Sequence, residues 1–152
     1  VDMYLLYEIV HDYDCGEGSF FMCTDFKEGA EYDKLTFTSP WDFNWAYNDS
    51  TTRYWAGGFS AKSFVNQYGD RSNPWFIILI KQDWFRELVT QKWTSLENDG
   101  RIAQCIEDEK AYLEEYRTDL CRDNEWGVDN AYSLFKWIEA RIKWMDKQFK
   151  AE

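Results

Sequence analysis

The C-terminal stretch carries the strictest pattern in the chain. Phe135, Ile138, Ile142, Met145 and Phe149 recur at alternating steps of three and four. That spacing lays apolar side chains along one face of an α-helix. Such a seam has to be covered, and the residues upstream supply partners of the same kind. Asn73 followed by Pro74 reads as a helix cap and first-turn pair. After it, "PWFIILIK" and "DWFRELVTQKWTSL" place Phe85, Leu88, Val89 and Leu96 on one face. Residues 101–122 then read as a single helix, with Ile102, Ile106, Leu113, Tyr116 and Leu120 recurring on its inner side.

The N-terminal part is built differently. "VDMYLLYEIVHDYD" puts Met3, Leu6, Tyr7 and Val10 on a helical stripe, with Asp2 as its cap. Gly16 and Gly18 break that helix. "SFFMCTD" reads as a buried strand, "FKEGAEYD" as a turn, and "KLTFTSPW" as a second strand with Leu35 and Phe37 on one face. Residues 48–73 fit no regular element, and a connection of that length is usually functional or mobile. There is no internal repeat and no low-complexity tract. The expected fold is one α+β domain over residues 1–152, mostly helical, with a small β-hairpin and a helical bundle.

Composition narrows the function. A chain of 152 residues can bury one real core. Nine Trp, ten Tyr and eleven Phe exceed ordinary needs, so a surplus ring could line a ligand groove while most pack inside. A formal charge of −11 repels phosphodiester backbones and argues against nucleic-acid binding. The longest apolar run, "PWFIILI", is too short to cross a bilayer. No signal or transit segment is read, and the start at Val1, directly in a helical pattern, is what a fragment or processed product gives. Cys15, Cys23, Cys105 and Cys121 form no C-x-x-C, and His11 is the only histidine, which argues against zinc. Cys105 and Cys121 lie too far apart on one helix to bond, and Cys15 with Cys23 would have to span a tight hairpin; buried or free thiols are expected.

Two carboxylates stand out by position. Asp14 ends the first helix at the glycine-rich turn, and Asp42 ends the second strand, between Trp41 and Phe43. If the hairpin pairs, both of its mouths can face one cleft. Carboxylates aimed at one point repel unless a cation or a shared proton joins them. Mg²⁺ suits oxygen ligands and commonly bridges to substrate phosphates. Protein kinases use this shape: a catalytic Asp, a polar metal ligand five positions on, and an Asp-Phe pair that holds metal. Here Ser19 follows Asp14 by five, and "WDF" supplies the pair.

The blocks "LLYEIVHDYDCGEGSFFMCTDF", "KLTFTSPWDFNWAYND", "NPWFIILIKQDWFRELVTQKW" and "WIEARIKWMDKQF" together resemble the CotH family of spore-coat and bacterial surface proteins. The resemblance covers nearly the whole chain. It implies an atypical protein-kinase-like fold and Mg²⁺- and ATP-dependent phosphoryl transfer to Ser or Thr of a coat or surface protein. It also implies an extracytoplasmic location, at the cell surface or spore coat. On that likeness Asp14 is the catalytic base, Asp42 holds metal, and Ser19 and Asn44 are auxiliary ligands. Asn44 stands where the family often carries an acid, and Ser19 where eukaryotic-type kinases keep Asn. No G-x-G-x-x-G occurs and no strand Lys pairs with a helix Glu, so the chain reads as a C-terminal lobe without its ATP-clamping half. Such a lobe is expected to be inactive in isolation.

Each of these residues also has a plainer reading. Asp42 and Asp14 can be turn residues accepting backbone N–H bonds. His11 can be a structural hydrogen-bonding group, and Asp12 is a near neighbour of Asp14. Asn44 and Asn48 can end the strand. Trp41, Trp45 and Trp55 can be core, or a stacking surface for a sugar or base. The run "EDEKAYLEEYRTD" reads as a solvated helix face. The alternatives to a kinase lobe are a non-catalytic coat or cell-surface interaction module and a carbohydrate-associated scaffold.

Overall fold

Helix dominates the chain, as the three-and-four spacing predicts. The computed structural model describes residues 1–12, 20–29, 34–43, 46–47, 74–119 and 125–150. In order, these residues form α1 (Asp2–Val10), β1 (Phe21–Cys23), β2 (Thr36–Thr38), α2 (Pro74–Leu79), α3 (Asp83–Asn98), α4 (Arg101–Glu115) and α5 (Glu125–Lys150). The architecture is α+β and mostly helical. The two strands pair antiparallel, with Phe21 opposite Thr38, Met22 opposite Phe37 and Cys23 opposite Thr36. One compact unit takes in the described residues up to Tyr47 together with Pro74 to Phe85, and a second takes in those from Arg86 onward.

The first unit is organised around aromatic rings. Phe76 of α2 is its hub, with ring centroids 5.6 Å from Tyr4, 6.3 Å from Tyr7, 5.3 Å from Phe20 and 5.9 Å from Phe37. Its contacts with Tyr4 and Phe20 are edge-on, the arrangement that ring quadrupoles favour. Tyr4, Leu5, Tyr7 and Val10 are buried on α1, so its apolar face is broader than the expected stripe, and Met3 and Leu6 are only half-buried. Val1, not Asp2, takes the cap position. Asp2 is the first helical residue instead, where a carboxylate meets the positive end of the helix dipole.

The hairpin departs from the expectation of a buried strand. Phe21, Met22 and Cys23 are all exposed. The inward position belongs to Phe20, one residue earlier, which meets Phe37 at 5.1 Å and Phe76 at 5.3 Å. A two-stranded ribbon has one open face, and only its end nearest Phe76 is covered. For the same reason Leu35 is exposed while Phe37 is half-buried.

The second unit is helical. Along α3 the buried positions Val89 and Trp93 continue the line begun by Phe85, and Leu96 is half-buried. Leu88, expected on that face, is 46% exposed. The turn into α4 depends on Gly100. Its φ of 66° is left-handed, and its N–H donates to the Glu97 carbonyl at 3.0 Å. A side chain at that φ is strained, which is why glycine commonly ends helices this way. The helix expected over 101–122 stops at Glu115. Its inner side carries Ile102, Ile106, Lys110 and Leu113, whereas Tyr116, expected there, follows the helix end and is exposed. Lys110 reaches across to Glu139 of α5 at 2.6 Å. On α5, Met145 is fully buried and the other seam residues are half-buried. Phe149 meets Trp93 at 5.4 Å. Arg141 is fully buried, with its guanidinium 4.8 Å from the Trp144 ring.

Candidate functional site

The end of α1 is where the site begins. His11 has φ 53° and ψ 47°, left-handed, and its N–H donates to the Glu8 carbonyl while that of Asp12 donates to the Tyr7 carbonyl. This pair of bonds is a Schellman ending, which satisfies carbonyls that the last turn leaves over. Histidine tolerates the left-handed region better than most side chains. Glu8, His11 and Asp12 are all fully or almost fully buried. Glu8 lies in the last turn of α1, and His11 and Asp12 follow directly after it.

The second component is the block after β2. Ser39 and Asp42 both have left-handed φ, 54° and 58°. Two such residues within four positions bend the chain sharply, so Trp41 and Asp42 point outward and Phe43 turns in. Trp41 is 60% exposed, which removes it from the core. Asp42 is exposed as well. Phe43 meets the Tyr7 ring at 5.8 Å.

Two backbone bonds fix this block. The Ala46 N–H donates to the Phe43 carbonyl at 3.0 Å, and the Tyr47 N–H donates to the Val10 carbonyl at 2.9 Å. Val10 closes α1, so its carbonyl has no partner within the helix and accepts one from outside. Burial pushes the Tyr47 phenol up from its ordinary range. Tyr47 is therefore bonded to the C-terminal end of α1.

Of the expected site residues, Asp42 is described and is surface-exposed. Asp14, Ser19 and Asn44 lie outside the described residues, as do Trp45, Asn48, Trp55 and residues 48–73. Among the described residues, no three His, Cys, Asp or Glu side chains are grouped to hold a metal ion. Cys23 and Cys105 are exposed free thiols. Asp12, a near neighbour of Asp14 in the sequence, is fully buried at the end of α1. Compared with known proteins, the chain matches no family profile, no curated protein and no solved structure.

Proposed function

We propose that this chain is the C-terminal lobe of a CotH-like atypical protein kinase, serving Mg²⁺- and ATP-dependent phosphoryl transfer to Ser or Thr of a partner protein. The observation that supports it is the Tyr47-to-Val10 hydrogen bond. It joins Tyr47, five residues after Asp42, to Val10, four residues before Asp14, and a backbone link of that kind supports a shared site for the two carboxylates. In this reading Asp14 accepts the substrate hydroxyl proton, and Asp42 holds the metal with help from Asn44 and Ser19. The donor set is all oxygen, which suits Mg²⁺, and an exposed Asp42 is open to an ion that keeps its waters. The metal's contribution when bound is to neutralise charge on the phosphates. Phe43, held against Tyr7, fixes the backbone from which Asp42 projects.

Incorporation of label from radioactive ATP, with Mg²⁺ and the full-length protein, tests this directly. Asp14→Ala and Asp42→Ala should each lower it at least about a hundredfold, the usual worth of a positioned base or metal ligand. Equal incorporation in both variants and the wild type removes the reading.

A second reading is favoured by the exposed rings: a non-catalytic surface-interaction or carbohydrate-associated module. Trp41 at 60% and Phe26 at 82% exposure present large apolar area to solvent. Glycan binding that survives Asp42→Ala and disappears with Trp41→Ala would select it.

A further inference from the structure

The outer flank of α4 has no place in the phosphoryl-transfer reading. Cys105, Asp108, Glu109, Tyr112, Glu115 and Tyr116 are all exposed. Counted from Cys105 they fall at steps of three, four, seven, ten and eleven, which makes them one continuous stripe about three turns long. Tyr112 and Tyr116 are 58% and 40% exposed, yet their rings lie together at 4.6 Å, tilted by 40°. Lone surface tyrosines are ordinary. A stacked pair framed by acids is a more specific surface.

Charge is distributed unevenly around this helix. Its cations are turned to other carboxylates, Arg101 to Asp99 and Lys110 to Glu107 and Glu139, and Arg117, just beyond its end, is turned to Glu114. Asp108 accepts from Gln104 at 2.8 Å. Glu109 and Glu115, on either side of Tyr112, form no ion pair among the described residues. From Cys105 to Tyr116 the stripe therefore holds three carboxylates and two ring faces, and the nearest base on its line, Arg101, is turned to Asp99.

We propose that this flank is a docking strip for an arginine-bearing helical segment of a partner protein. Guanidinium suits both halves of the surface. It stacks on an aromatic face, and it forks onto a carboxylate with two parallel N–H donors. An ammonium matches the charge but does neither as well. The proposal needs no catalytic step and stands whether or not the chain transfers phosphate.

Fluorescence anisotropy of a labelled short helical peptide, arginine on every turn, measures the interaction on the intact protein at near-physiological salt. The arginine peptide should bind several-fold tighter than a lysine peptide of equal charge. The double variants Tyr112→Ala/Tyr116→Ala and Glu109→Gln/Glu115→Gln should each weaken binding about tenfold, in line with one or two desolvated cation–ring or charge-assisted contacts. Glu87→Gln/Glu28→Gln, which removes the same charge from exposed positions elsewhere, should change it less than about twofold. All these sites are exposed, and unchanged circular dichroism confirms folding. Equal binding of the two peptides, or equal losses in the stripe and control variants, reduces the effect to general attraction by an acidic protein and overturns the proposal.

Discussion

The two compact units bury their side chains by different rules. In the first, short elements are held by rings that meet at defined angles around Phe76, and the contacts join α1, both strand regions and α2. In the second, long helices meet through separate side-chain contacts of different kinds, as in Trp93 against Phe149 and Lys110 against Glu139. A ring cluster depends on shape at one place. A helical seam spreads its dependence over many places. The first arrangement suits a region that must fix a bend such as Ser39 to Phe43, and the second suits a support.

If that contrast is right, mutations should expose it. Phe76→Ala should cost about 3–5 kcal/mol in urea unfolding, the usual range for a buried Phe. Phe76→Leu should recover little of it, because four ring partners lose their geometry. Met145→Leu, at an equally buried position of α5, should cost less than about 1.5 kcal/mol. Comparable costs for the two Leu variants would remove the distinction.

A smaller effect is expected at Asp42. Its φ of 58° is left-handed and its side chain is exposed, so Asp42→Gly should stabilise the fold by up to about 1 kcal/mol. Asp42→Ala removes the same carboxylate without that relief and should not stabilise. If both lose phosphoryl transfer while only the glycine variant melts higher, the carboxylate is kept for function against local stability.

The smallest expected effect lies in the second unit and depends on pH. The Glu97 carboxyl is raised above its ordinary 4.5, by burial first and by Asp146 next, with Lys150 opposing. A carboxyl raised on folding contributes its stability fully below about 4.5, and loses it as pH climbs through the raised value. Melting temperature should fall slightly over that window in the wild type. Glu97→Gln should flatten this part of the profile and leave the protein no less stable at neutral pH.

How legible was this in the sequence? The α5 seam was, because apolar residues on a long helix announce its inner face. The hairpin was legible as a pairing but not in its burial. Alternation says which residues share a face, and it does not say how far the neighbouring core extends. Leu88 and Val89 show a related limit, since two apolar neighbours flank the line begun by Phe85 and the partner decides which of them is buried. Polar residues on inner faces left little signal, apart from His11, which reads as a structural hydrogen-bonding group. Arg141 and Lys110 sit among apolar positions, and Glu8, His11 and Asp12 cluster at the end of α1. No apolar period marks such residues, because a polar side chain is placed on an inner face by particular partners, as Lys110 is by Glu139. For the candidate site, the sequence identified the Asp42 block, and its tie to the end of α1 through Val10 and Tyr47 became visible only in the backbone bonds.

The contacts of Phe76 bear on the order in which this chain acquires its structure. One ring gathers residues 4, 7, 20 and 37, so none of those pairs can form until distant stretches of polypeptide have met. Long closures of that kind slow assembly, whereas the corner at Gly100 joins immediate neighbours and needs almost no search. Pulse-labelling by amide exchange during refolding should therefore protect α3 and α4 before α1, with the Val10–Tyr47 bond among the last to close.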